Sequence, residues 1–135
     1  MDNKIKDNYF GEMVYKHSWT KTDTICLFDK AYKVKVVAQA YKGDTILDIQ
    51  RENYVNFRNY LEENKVAIEK KLKEYCKTNY NTDKTLDECL TPKTVIFERD
   101  GSWGILFDTE YDIENGVALF VINGQLEVGT EDSFL

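Results

Sequence analysis

The residues best spaced for chemistry lie near the end of the chain, in Asp108-Thr109-Glu110-Tyr111-Asp112-Ile113-Glu114-Asn115-Gly116, where a carboxylate recurs at every second position. Side chains two residues apart share one side of an extended segment. Asp108, Glu110, Asp112 and Glu114 are therefore expected to face together. Like charges set side by side repel by roughly a few tenths of a kcal/mol or more per pair, so such a face invites something positive. From Asp108 onward the chain holds seven acids and no Lys or Arg. Three chemistries compete for them: a charged sheet edge that resists pairing with other chains, a surface for a basic protein, and a site for a divalent cation. The spacing argues against an EF-hand loop. Counting from Asp108, Ile113 stands where that loop needs its Gly and Leu119 where it needs its Glu. A looser Ca²⁺ or Mg²⁺ site built from two or three oxygens stays open as an alternative.

Other chemistries find little support. His17 is the one imidazole, in the polar run Lys16-His17-Ser18, so zinc binding and Ser-His or Cys-His nucleophilic systems would all depend on it. No GxSxG, HExxH, P-loop or GxGxxG sequence is present, and a non-enzymatic role without a cofactor is expected. Cys26, Cys76 and Cys89 form an odd set with no CxxC pair. That suits reduced, buried and inert thiols in a cytosol better than a disulfide framework. The lysines at 70, 71, 73 and 77 fall near a helix C-terminus, where the macrodipole favours cations and Glu69 is placed to pair with Lys73, so they read as structural.

The elements that must position these residues follow from composition and period. At 135 residues and 42% hydrophobic content, the chain is long enough for one core and is expected to form a single domain over residues 1–135. No apolar stretch approaches membrane-spanning length. Met1–Phe10 lacks an apolar core, so no secretory signal is expected and the location is expected to be cytoplasmic. A net charge of -6 disfavours nucleic acid as a partner. That charge is uneven: residues 1–80 carry 15 Lys/Arg against 12 Asp/Glu, whereas residues 81–135 carry 3 against 12.

EMVYK, TICLFD and AYKVKVVAQAYK read as strands, the last with Tyr32, Val34, Val36, Ala38 and Ala40 on one side. The period then changes. Leu47, Tyr54, Phe57 and Leu61 make one helical stripe, and Ile68, Leu72, Tyr75 and Cys76 make a second, with Asn64 placed to cap the second helix or to bend one longer helix. A polar link with room for one helical turn precedes Pro92. KTVIFER and SWGILFD then flank Asp100-Gly101, and GVALFVI and QLEVGT flank Asn123-Gly124, which reads as two hairpins with type I′ signals. The continuously apolar Val117–Ile122 should be covered on both faces. The expectation is an α+β fold: a single antiparallel β-sheet of six to seven strands, with a two-helix insertion packed on one face.

The run Leu106-Phe107-Asp108 through Tyr111-Asp112-Ile113-Glu114-Asn115-Gly116-Val117, closing with Val128-Gly129-Thr130-Glu131-Asp132, resembles the end of a family of small uncharacterised bacterial domains. Those domains share an aromatic-Asp-x-Glu-His-Gly pattern followed by a strand and a Val-Gly-x-x-Asp finish. Here Tyr111, Asp112 and Glu114 match, and Asn115 stands where the family has His. Relatives of this look often lie near toxin and immunity loci. The resemblance implies a cytosolic, immunity-like protein that binds another protein. On this reading Asp108, Glu110, Tyr111, Asp112 and Glu114 form the binding surface for a basic partner such as a toxin, with Tyr9 or Trp19 as further aromatic anchors. The alternative is a small-ligand or divalent-metal domain in which the same carboxylates line a pocket.

Overall fold

The computed structural model describes residues 3–135; Met1 and Asp2, the start of the Met1–Phe10 segment, lie outside them. Among the described residues eight strands form one sheet whose order across the sheet is their order along the chain. They are β1 (Lys4–Asp7), β2 (Gly11–Tyr15), β3 (Trp19–Leu27), β4 (Lys30–Ala38), β5 (Thr91–Phe97), β6 (Trp103–Asp108), β7 (Val117–Ile122) and β8 (Gln125–Gly129). Between β4 and β5 come α1 (Asp48–Glu63), α2 (Lys65–Tyr80) and the single turn α3 (Leu86–Cys89). The fold is thus α+β with one sheet, but two expectations need correction. There are eight strands rather than six to seven, because Lys-Ile-Lys-Asp at β1 is too short and too charged to read as a strand. Nor is the sheet wholly antiparallel: β4 and β5 run parallel, with Lys35, Val36, Val37 and Ala38 opposite Thr94, Val95, Ile96 and Phe97.

The parallel pair follows from the path of the helices. Gln50, in the first turn of α1, is fully buried; its amide Nε2 donates to the carbonyls of Gln39 and Phe97, both at 2.9 Å, just where β4 and β5 end. Tyr80, the last residue of α2, stacks on Tyr111, beyond the end of β6. The two helices therefore run in succession down the sheet rather than folding back as a hairpin, and β5 enters at the end where β4 began. Asn64 separates them, standing at the C-cap of α1 and the N-cap of α2, but its side chain makes no capping bond to α2. Its side-chain amide donates back to the Tyr60 carbonyl at 3.0 Å.

Helix residues Tyr54, Phe57, Leu61, Ile68, Leu72 and Cys76 pack with Val34, Val36, Ala38, Val95, Phe97 and Ile105 in the main core. Rings of Phe10, Tyr54, Phe57, Phe97 and Trp103 meet there in stacked and edge contacts of 4.4 to 6.1 Å, each worth roughly 0.5–1.5 kcal/mol beyond the area it buries. The opposite face carries a smaller cluster of Val37, Ile96, Leu106, Ala118 and Phe120, with Phe134 stacked on Phe120 at 4.9 Å. The first five residues of β7 are buried, as its apolar run predicts.

The turns divide by chemistry. Asn123 and Gly124 both have positive φ, 51° and 76°, as a type I′ turn requires. At Asp100-Gly101 only Gly101 does, and its N–H returns to the Glu98 carbonyl at 3.3 Å, so this hairpin is a longer loop and not the expected type I′ turn. A positive-φ pair with no sequence signal occurs at Phe28 and Asp29, 53° and 60°. The strain of a bulky residue there is opposed by stacking of Phe28 on Phe107 at 6.1 Å.

Candidate functional site

The acidic segment is not extended. Asp108 is the last residue of β6, and Thr109–Gly116 folds into consecutive turns before β7. The local bonds explain why. The Thr109 hydroxyl accepts the Tyr111 N–H at 3.3 Å, and Asp112 Oδ1 accepts both the N–H and the side-chain amide of Asn115 at 3.1 and 3.3 Å. Asp and Thr side chains that bond nearby backbone in this way draw a chain out of strand geometry. Gly116 closes the loop with its N–H on the Asp112 carbonyl at 2.9 Å and a φ of +60°. A Cβ at Gly116 would lie 2.7 Å from the Phe107 carbonyl, so glycine is needed on two counts.

The four carboxylates consequently diverge, which corrects the expectation that they share one side. Asp108 meets Lys93 of β5 at 3.1 Å, and the same Nζ reaches Glu131 at 2.7 Å. Glu110 meets Lys84 in the link between α2 and α3 at 2.7 Å. Asp112 turns inward onto Asn115. Glu114 is exposed and is paired with no cation among the described residues. Two of the acids are thus already matched by lysines from elsewhere in the chain.

Tyr111 is held by its neighbours and is 37% exposed. Its ring lies 5.2 Å from that of Tyr80 at an interplanar angle of 11°, its hydroxyl donates to Thr82 Oγ1 at 3.1 Å, and Lys84 Nζ sits 5.6 Å from its ring centroid. The Tyr80 hydroxyl beneath is buried without a hydrogen-bond partner among the described residues. Burial, with Tyr75 and Asp112 close by, pushes that phenol above its ordinary pKa. The loop is further tied to the C-terminal turn through the Glu131 N–H, which donates to the Asn115 carbonyl at 3.2 Å. On this fixed loop Ile113 is 85% exposed, more than any other large apolar side chain among the described residues.

The other proposed anchors lie elsewhere. Tyr9 is exposed in the turn between β1 and β2, beyond β3, β4 and β5 from the loop. Trp19 is tied down, its indole N–H donating to the Asp44 carbonyl at 3.0 Å and its ring set edge-on to Tyr15 at 5.3 Å.

Sequence reasoning missed three features. Tyr80 and Lys84 support the loop, and Ile113 enters the reading of the sequence only through the EF-hand count and the motif that carries the resemblance. A branched apolar residue inside a run of turn formers was the available signal. Reasoning also missed an ion cluster where α1 meets β3. There Asp23 accepts from the Tyr54 hydroxyl at 2.9 Å and meets Arg58 at 3.0 Å. Burial raises the Asp23 carboxyl, but bonds from the Thr24 N–H, Tyr54 and Arg58, with the Arg58 charge, outweigh it and bring the pKa down to about 2.

Two clefts flank the helices. One, of about 620 Å³, lies between α1 and the turns that follow β5 and β7, with Asn53, Tyr60, Trp103 and Asn123 in its walls. The other, of about 380 Å³, lies between the turn after β3 and the junction of α1 and α2, with Cys26, Arg58 and Lys65. Neither is lined by the carboxylates of residues 108–114. Cys26 is exposed, against the expectation that all three cysteines are buried; Cys76 and Cys89 are buried.

An eight-stranded mixed sheet with a helical crossover and a braced acidic loop defines an α+β domain whose most distinctive surface is that loop. The family whose model matches residues 9–135 is described as Domain of unknown function (DUF6985), and the chain belongs to it. No curated protein and no solved structure matches the chain.

Proposed function

We propose that the chain is a non-enzymatic protein-binding domain that meets a basic partner through the loop Thr109–Gly116. The observation that carries this reading is Ile113, held 85% exposed on a loop whose backbone is fixed on both sides. A loop ordered before binding loses little conformational freedom on docking, and an exposed apolar tip supplies the contact that charge alone does not. Glu114 beside it, and the outer faces of Glu110 and Asp108, supply the negative field that would steer a cationic partner. Lys84 and Lys93 reduce that field, so the apolar tip carries more of the binding than the count of acids implies. The narrower reading, an immunity-like factor that binds a toxin in a bacterial cytoplasm, is supported by the sequence resemblance alone.

The test avoids the residues that build the loop. Ile113→Ser and Glu114→Gln leave every hydrogen bond described above intact. Used as bait in extracts of the native host, the parent chain should retain a basic protein in stoichiometric amount. Against that purified partner the double variant should bind at least about tenfold more weakly, and Glu114→Gln alone should slow association and flatten its salt dependence. Equal capture by parent and double variant overturns the proposal.

A further inference from the structure

We propose that Cys76 and Cys89 are an oxidative modification site: a pair poised to form one disulfide that joins α2 to α3. The two lie thirteen positions apart and on different helices, yet the Cys89 thiol donates to Cys76 Sγ at 3.4 Å, and each residue is only 3% exposed. Their approach is fixed by the elements that carry them. Asn81, in left-handed geometry with its N–H on the Lys77 carbonyl at 3.0 Å, ends α2. Thr85 starts α3, its N–H and hydroxyl both donating to Glu88. Leu86 and Leu90 are buried on either side of Cys89, and Lys30 holds Asp87 at 2.7 Å. With the helix and the turn so placed, a bond length of about 2.05 Å requires the sulfurs to close by about 1.4 Å.

The oxidant required is a small disulfide of the glutathione class. One cysteine, as thiolate, attacks a sulfur of that disulfide, releases one thiol and leaves a mixed disulfide. The second cysteine then attacks the protein sulfur of the mixed disulfide and expels the other thiol. Two S–H bonds break and one S–S bond forms; the two protons and two electrons leave in the two small thiols. Burial pushes the Cys76 thiol up to about 12, so reaction waits on transient opening of the four-residue α3, an element short enough to open without global unfolding. The new bond would close the link at residues 81–85 into a ring. That link carries Thr82 and Lys84, which hold Tyr111 and Glu110, so oxidation would stiffen the support of the loop. The chemistry itself does not depend on what the loop binds.

The experiment uses the full chain with the exposed thiol removed, Cys26→Ser, incubated with oxidised glutathione until the amides of α3 have exchanged. The chain is then unfolded in acid, alkylated with N-ethylmaleimide and weighed. The expected result is a mass lower by two hydrogens, no maleimide label, and a proteolytic fragment joining the segments around 76 and 89. The thermal midpoint should rise by about 5 °C and return on reduction. Adding Cys76→Ala or Cys89→Ala should abolish the loss of two hydrogens and leave one thiol that is labelled or capped by glutathione. Two maleimide labels, or a stable glutathione adduct on the chain that retains both cysteines, overturns the proposal.

Discussion

Tyr80 shows how one side chain serves two demands at once. Its ring supports Tyr111, while its hydroxyl lies buried with no hydrogen-bond partner among the described residues. A buried hydroxyl without a hydrogen bond costs roughly 1–3 kcal/mol, so Tyr80→Phe should keep the stack and leave stability unchanged or raise it by up to about 1 kcal/mol. Tyr80→Ala should instead lower the thermal midpoint and speed amide exchange at Tyr111, Asp112 and Gly116. A fall in stability for the Phe variant would show that the hydroxyl has a partner after all. Asp23 makes the complementary case, a polar group fully engaged. Its folded pKa, near 2, lies below the ordinary 3.8, so the stability it contributes is present above about pH 4 and is lost as the pH falls towards 2. With its side chain 28% exposed, solvent screening reduces that contribution to about 1 kcal/mol. Acid titration of unfolding should show a shallower slope between pH 4 and 2 in Asp23→Asn than in the parent chain, and parallel slopes would assign the acid sensitivity to other groups.

At the scale of elements, Gln50 does for the helix start what a cap alone would not. Its Oε1 accepts the Leu47 N–H at 2.8 Å, and its Nε2 bonds the carbonyls at which β4 and β5 end. Replacing it by leucine keeps the volume but leaves a helix N–H and strand carbonyls short of a partner. Gln50→Leu should therefore lower the free energy of unfolding by about 2–3 kcal/mol, read from the guanidinium midpoint at unchanged m-value. A loss below about 0.5 kcal/mol would show that water replaces the amide. The stripe read from the sequence, Leu47, Tyr54, Phe57 and Leu61, leaves this residue out, because a glutamine carries no apolar signal even though it stands four positions before Tyr54 on the same helix face. Most of the fold was legible, because seven strands and both long helices announce themselves by period. The parallel pairing was not, since periodicity says nothing of whether two helices fold back or run on, and that alone decides where β5 enters. The acidic loop was misread for a related reason. Alternation of Asp and Glu mimics strand period, but the side chains of Thr109 and Asp112 bond nearby backbone N–H groups and bend the chain.

Across the whole molecule, charge and topology act together. The turn after β3, the starts of β4, β5 and β7 and the end of β6 gather at one end of the sheet, so acids distant in sequence converge there with Lys30, Lys84 and Lys93, which pair with Asp87, Glu110, Asp108 and Glu131. The uneven charge of the chain is thus partly cancelled in space, and the negative groups left over are those that project. Strand succession has its own consequence. Six of the seven strands that follow another come to rest beside a predecessor only a short turn away, whereas β5 must cross half a hundred residues of intervening chain to find β4. Loop-closure entropy is concentrated in that one encounter, so the two four-stranded meanders should zip quickly and then wait for the helices to bring them into register.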